Sequence, residues 1–374
     1  MAAFFTPTPD ERRVLDELAR EIADVQRTLV QNHPELTMPD RGAHQQQLAA
    51  SKVTLSLADR LPPALEGLGI FQHGAAGGSH VGIGRISTGL GCPHAETDAD
   101  FLGLMVAFRS GSGRRVDFIT INDPTSPTDT PEEFVALLKA TADAAGAHGL
   151  LASQARLLLS LARHAGLKAP AIALHVTEQT RRTVRSSSAY QQYWTGVVRA
   201  REVLGKFTFV PVGAVGDAGD DRSARHLTDD WRHRQAAGPL DFSLQWIPFV
   251  SDRETPLDDL TAAWRSEPVP VGTVTFPRVD PDSRDSRLTA LLGSELGANP
   301  GNWVETPDAP AALPATRFTA ARMLAYRESQ KNRGALPDDR YASFFERGAI
   351  DQALATELER RDAAKRAAGH WVVR

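Results

Sequence analysis

The sequence predicts an α+β protein, an eight-stranded antiparallel β-barrel with helical additions. Three observations carry this. Segments with strand character fall into two groups of about four, the first within residues 52–122 and the second within 186–276. Connections inside the first group are short, which favours antiparallel neighbours and barrel closure. Helical patterns precede, separate and follow the two groups. With 374 residues, 41% hydrophobic and 24% charged, the chain is able to bury such a core.

Residues 8–31 form an amphipathic helix in this reading. Thr8 caps it, Pro9 suits its first turn, Glu11 completes a capping box, and Val14, Leu15, Leu18, Ile22, Val25 and Leu29 make the apolar stripe. The segment reads as an arm, 1–35, that packs on the body or on a partner subunit. Strands follow at 52–57, 81–88, 101–109 and 114–122, with a turn-and-helix segment at 61–71. The last two are joined by Ser110-Gly111-Ser112-Gly113, a hairpin signal. Thr130-Pro131-Glu132-Glu133 opens a helix to about 145, and a second covers 152–164. Residues 170–176 read as a strand or extended linker and 206–212 as a strand. Residues 213–238, rich in Gly, Asp and Arg, read as a long exposed loop. Strands at 241–249 and 271–276 flank a short helix at 257–264. A helix or turn-rich segment covers 283–296, and a helical tail covers 336–374. The barrel domain is then 36–335.

The composition narrows function. A net charge of −4 leaves no footprint for nucleic acid or an anionic membrane. No apolar run approaches the ~18 residues of a membrane span. The start lacks the basic region and long apolar core of a signal peptide. Cys92 is the only cysteine, so no intramolecular disulfide forms, and a reducing, cytoplasmic setting is expected.

The stretch around 316–337 organises the rest. Ala, Leu, Met, Glu, Gln and Lys favour a helix, and Asn332, Gly334 and Pro337 stop it. Arg322, Tyr326 and Arg333 share one face. A guanidinium one turn before a phenol favours phenolate, whose free pKa is about 10. Tyrosinate is a known ligand of haem iron. From the helix alone, the ordinary reading is a half-buried packing tyrosine and a solvated arginine.

The chain resembles the catalase superfamily, in particular its short, haem-dependent members that act as catalases or peroxidases or metabolise fatty-acid hydroperoxides. The resemblance runs in order over about 36–335. Arg41-Gly42-Ala43-His44 resembles the distal Arg-x-x-His motif, and Leu61–Phe71 the segment that follows it. Gly84–Thr88 resembles the Arg-Phe-Ser-Thr strand, and Asp117–Pro124 the segment ending in the distal Asn. Residues 189–194, 241–246 and 255–264 resemble the second half of the barrel. The Arg322-x-x-x-Tyr326-x6-Arg333 helix resembles the proximal helix.

The resemblance implies haem b, ferric iron protoporphyrin IX, as cofactor. It implies Tyr326 as phenolate ligand of the iron and Arg322 as the group that keeps it charged. His44 becomes the distal base, Asn122 a donor to bound peroxide, and Ser87 the hydroxyl that orients His44. Arg41, Arg85 and Arg333 become partners of the two propionates. From the residues alone, His73 and His80 rival His44, Asn122 is a natural turn residue before Asp123-Pro124, and Ser87 is a strand hydroxyl. His44 precedes Arg85 by 41 residues, close to the family's separation, and His73 by only 12.

Departures shape the expected activity. Ala43 stands where catalases carry Val and the lipid-hydroperoxide branch Thr. Gln45-Gln46 follow the histidine, where the usual residues are Ala and Lys or Arg. Residues 124–134 lack the aromatics that narrow the distal pocket, although Phe134 closes the stretch. The chain ends 41 residues after Arg333, so no flavodoxin-like extension is expected. The expected function is a haem enzyme that cleaves the O–O bond of hydroperoxides. Its substrates extend from hydrogen peroxide to organic and fatty-acid hydroperoxides, and its reducing co-substrate is undefined. An allene oxide or epoxy alcohol synthase, a non-catalytic haem carrier or sensor, and an apo barrel for an apolar ligand remain alternatives. The family oligomerises, and the arm is compatible with a homodimer, but the sequence shows no interface.

Overall fold

The structure, a computed structural model, describes residues 5–33, 36, 38–72, 79–146, 150–180, 187–213, 223–303 and 314–367. His73 and part of the 213–238 segment lie outside the described residues.

The chain opens with α1 (Pro9–Asn32), whose Thr8–Glu11 capping box is formed. It then builds β1 (Gln47–Leu57), β2 (Ser79–Thr88), β3 (Leu102–Arg109) and β4 (Arg115–Ile121). Three helices follow: α2 (Pro131–Ala144), α3 (Leu150–Ala165) and α4 (Ala169–Thr180). The second strand group is β5 (Tyr193–Thr195), β6 (Val198–Ala200), β7 (Val203–Pro211), β8 (Leu240–Pro248) and β9 (Val269–Phe276). Helix α5 (His226–Ala237) lies between β7 and β8. After β9 come α6 (Arg284–Glu295), α7 (Arg317–Asn332), α8 (Ala342–Arg347) and α9 (Gln352–Ala367).

All strand pairings are antiparallel. The order β5-β4-β3-β2-β1-β9-β8-β7-β6 closes through β5–β7. Strands β5 and β6 lie on the same edge of β7, with Tyr193 opposite Phe209 and Val198 opposite Gly205. Together they make one interrupted stave, so the ring is a closed barrel of eight staves. Period-2 alternation sorts the side chains. Leu104, Val106, Phe118, Phe207, Phe209 and Phe242 fill the inside. Arg85 and Ser87 of β2, Gly103 and Met105 of β3, Ile119 of β4, Trp194 of β5 and Lys206 of β7 belong to the opposite, outer set.

The arm packs on its own body. Leu15 meets Ala320 and Ala321 of α7, while Val25 and Leu29 meet Ala142 and Ala145 at the end of α2. Three expectations are corrected. Residues 170–176 are helical: Pro170 sits in the first turn of α4, where a missing N–H costs nothing, and Ile172 and Val176 face α2 and α3 one turn apart. Residues 226–237 form α5 rather than loop. Its polar side chains are buried because they are partnered, Thr228 Oγ1 by Glu96 and Gln235 Nε2 by Ser51 at 2.9 Å. Residues 257–264 are turns, in which Asp259 Oδ1 accepts from Thr261 N at 3.0 Å.

Gln154–Thr180 spans 27 residues and contains an 18-residue window with a mean hydropathy of 1.2, the length and hydropathy of a membrane span. Gly166, at φ +55°, lies between α3 and α4, which contact each other. Leu161, Ala169 and Ile172 then pack on Leu137 and Ala140 of α2.

Candidate active site

A cavity of about 1290 Å³ lies against the outer wall of the barrel, over β2, β3, β4, β5 and β7. That exceeds the ~300–1,000 Å³ of common small-ligand sites. Residues of α1, α2, α3, α4 and α7 cover it. The structure brings seven of the eight expected residues to its lining: Arg41, His44, Arg85, Ser87, Arg322, Tyr326 and Arg333.

His44 occupies left-handed backbone, φ 55°, uncommon for a residue with a β-carbon. Its amide donates to Gly89 O at 2.8 Å, and Gln45 N to Leu90 O at 3.0 Å. The Arg85 guanidinium closes over the far side, donating to His44 O at 2.8 Å and Gln45 O at 3.3 Å. Ser87 Oγ lies 3.2 Å from the ring Nδ1. The ring packs on Gly103, where any β-carbon would sit 2.6 Å from its Cε1 and Nδ1. Burial pushes the imidazole down to about 4; the Arg85 and Arg322 charges add to this, and Asp100 partly opposes it. His44 is therefore a neutral, positioned base at ordinary pH.

Asp100 holds the loop around it, a role the sequence reading missed. Its carboxylate accepts from Gly89 N at 2.7 Å, Leu90 N at 2.9 Å and Phe101 N at 2.7 Å. His94 Nε2 lies 3.2 Å from it, an ion-pair contact without hydrogen-bond alignment. Burial alone would lower the His94 pKa, but Asp100 outweighs it and raises it. A carboxylate one residue before a strand was the available signal, and it resembles any turn residue.

On the opposite side α7 presents Arg322 and Tyr326, with the guanidinium carbon 5.7 Å from the phenol ring centre. The helix is tied down along its length. Thr319 Oγ1 donates to Val197 O at 3.0 Å, Asn299 Nδ2 to Met323 O at 3.0 Å, and Gln26 Nε2 to Ser329 Oγ at 3.2 Å.

Three guanidiniums gather at one end. Arg41 Nη2 and Arg333 Nη1 both donate to Ser294 O, at 2.8 and 3.4 Å, and Arg333 Nη2 to Leu296 O at 2.8 Å. Arg85 Nε donates to Gln47 Oε1 at 3.0 Å. Asp40, 3.7 Å from Arg41, is the one carboxylate in ion-pair contact with this group among the described residues. Burial and the neighbouring Arg41 charge push Arg333 down to about 10 and Arg85 well below its ordinary value. Arg41 Nη1 is buried with no hydrogen-bond partner. Three cations against one carboxylate leave two positive charges to match, and two propionates fit that need.

Asn122 is placed differently. It sits where β4 ends, its backbone N donating to Leu102 O at 3.0 Å and its Oδ1 accepting from Leu102 N at 2.8 Å. Its neighbours Ile121 and Asp123 line the cavity, and Asn122 itself does not. His80 is also off the lining; it is partly buried on β2, and burial lowers its pKa.

No protein-family model matches the sequence, and no curated protein does. Solved structures do. A fungal catalase aligns with a TM-score of 0.60 at 14% identity, over 79% of this chain and 59% of its own. A bacterial catalase aligns with a TM-score of 0.60 at 18% identity, over 89% and 63%. Catalase A from Saccharomyces cerevisiae aligns with a TM-score of 0.60 at 12% identity, over 83% and 63%. The fold is catalase-like. The chain spans about three-fifths of the length of these catalases.

Proposed function

We propose that this protein is a haem-dependent enzyme that cleaves the O–O bond of hydroperoxides. One observation carries the reading: a neutral buried imidazole, an arginine-flanked phenol and an under-neutralised arginine cluster share one cavity. Arg41, Arg85 and Arg333 would hold the propionates, and Tyr326 would ligate the iron. Bound haem would supply the ferric centre at which the peroxide bond breaks.

The chain's own residues do the rest. Arg322, its guanidinium carbon 5.7 Å from the centre of the Tyr326 ring, would offset the negative charge of an iron-bound tyrosinate. With Nδ1 of His44 committed to Ser87, proton exchange with the peroxide falls to Nε2. That atom takes the proton from one peroxide oxygen and returns it to the other, a transfer worth about 10²–10⁴-fold. Gly103 and Arg85 keep the ring and its backbone in place. Asn122 would donate to bound peroxide through Nδ2, its Oδ1 being the atom that accepts from Leu102 N.

The substrate range is broader than hydrogen peroxide in this reading. The cavity is large, and Pro124–Thr130 brings no aromatic side chain to its wall. The same openness favours a second reading, rearrangement of a fatty-acid hydroperoxide. The test is an absorption spectrum of haem-loaded protein, followed by oxygen release from hydrogen peroxide and product analysis with organic hydroperoxides. A ferric tyrosinate spectrum lost in Tyr326→Phe, with turnover of either substrate class, supports the proposal. A spectrum indifferent to Tyr326, or no turnover of any peroxide, overturns it.

A further inference from the structure

Lys206 is a second cationic feature of the cavity, and none of the steps above uses it. It lies on the outer face of β7, is 6% exposed, and contributes to the cavity lining with Thr195, Gly196, Val197 and Leu260. No hydrogen bond or carboxylate meets its ammonium among the described residues. Its one partner among the described residues is the ring of Trp264, with Nζ 4.6 Å from the ring centre. A cation–π contact of this kind offsets only part of the cost of burying an ammonium. Burial accordingly lowers its pKa to about 8.

The surroundings say what anion fits. One ammonium with an indole on one side matches a single monoanion; a dianion would bring an unmatched charge into the same space. Six apolar side chains of α2, α3, α4 and α7 also line the cavity, Phe134, Leu137, Leu138, Leu157, Val176 and Phe318, among polar neighbours such as Thr141, Thr177 and Thr180. Phe134 and Phe318 stack edge to face at 5.7 Å. The sheet supplies the spacing. Gly103, against His44, is on β3, and Lys206 is on β7, reached through β4 and β5. Three strand spacings of about 4.8 Å put the two sites roughly 14 Å apart around the wall.

We propose that Lys206 is a carboxylate-binding subsite, and that the substrate is a fatty-acid hydroperoxide whose carboxylate it holds while the peroxide group reaches His44. The substrate half rests on the peroxide chemistry proposed above; the carboxylate subsite stands without it. No bond is made or broken at Lys206.

The test is binding of linoleate and of methyl linoleate, which share one chain and differ in whether the headgroup is an anion or a neutral ester, to haem-loaded protein. Isothermal titration calorimetry measures it. The expected result is linoleate binding roughly tenfold or more tighter than the ester, as a charge-assisted hydrogen bond gives. Lys206→Met abolishes the preference, and Lys206→Arg keeps part of it. Turnover of linoleic acid hydroperoxide then shows a higher KM in Lys206→Met with kcat little changed, while hydrogen peroxide turnover is unaltered. Equal affinity of wild type for acid and ester, or a preference that survives Lys206→Met, overturns the subsite. If acetate competes with linoleate at equal concentration, the subsite holds any carboxylate and the fatty-acid assignment falls. A linoleate preference in a protein that turns over no peroxide supports the subsite and overturns only the proposed chemistry.

Discussion

The cavity has two cationic ends, built in opposite ways. At one, Arg41, Arg85 and Arg333 are held by backbone carbonyls and a glutamine amide, so their forks are fixed before any anion arrives. At the other, Lys206 has only an indole face among the described residues. A guanidinium cluster pinned at several atoms is preorganised for a resident, doubly charged group. A single lysine on a flexible stem suits a group that enters and leaves. The difference separates cofactor retention from substrate choice, and each can be broken without the other.

The largest effect belongs to neither end. His44→Gln is expected to lower peroxide turnover by about 10²–10⁴-fold while leaving the haem spectrum in place. Stopped-flow turnover beside the absorption spectrum checks this; a variant as fast as wild type would remove His44 from the chemistry. Next comes the arginine end. Arg333→Met is expected to weaken haem retention by roughly 100-fold, because removing one partner of a buried ion pair leaves the other unmatched. Haem transfer to apomyoglobin measures it. If the linoleate preference fell together with haem retention, the two ends would not be independent.

The pH dependence of stability tests the burial of His44 itself. Its folded pKa, about 4, lies below the ordinary 6.5. Between these values the unfolded chain binds the proton that the folded one refuses, so stability is lost as pH falls through that window and the loss is complete below about 4. The expected cost is about 3 kcal/mol. Urea unfolding at pH 7 and pH 4.5 should show the fall in wild type, and a smaller one in His44→Gln. An equal fall in both would mean that the imidazole is solvated.

The sequence reading succeeded where local rules and ordered motifs decide. The capping box at Thr8–Glu11, the SGSG hairpin and the strand character of 81–88, 101–109 and 114–122 need only neighbours along the chain. The motifs around Arg41, Arg85 and Tyr326 bring side chains to one cavity because a barrel wall and one helix carry them. What stayed hidden depends on distant partners. Helix α5 looked like solvated loop because Thr228, Asp230 and Gln235 are polar, and their partners Glu96, Ser187 and Ser51 are far away in sequence. Pro170 with Ile172 and Val176 looked extended until α2 offered a face to pack on. Lys206 sits in an ordinary strand, and only barrel closure with the loop that carries Trp264 shows it to be buried.

The smallest expected effect concerns Gly103, and it tests whether the position of His44, beyond its identity, matters. A β-carbon at 103 would fall 2.6 Å from two ring atoms of His44, closer than real β-carbons approach anything. The ring cannot retreat along the wall: Arg85 holds its backbone carbonyl, and Ser87 its Nδ1 at 3.2 Å. Gly103→Ala must therefore tilt the imidazole or shift the loop, a strain of about 1–3 kcal/mol. If the tilt breaks the Ser87 contact, turnover falls by roughly tenfold or more, while haem retention and the linoleate preference stay as in wild type. Ser87→Ala, which frees Nδ1 without moving the ring, should give a smaller loss. Should Gly103→Ala run at the wild-type rate, proton transfer would not depend on the ring geometry held by β2 and β3, and the functional weight would shift to the arginine and lysine ends.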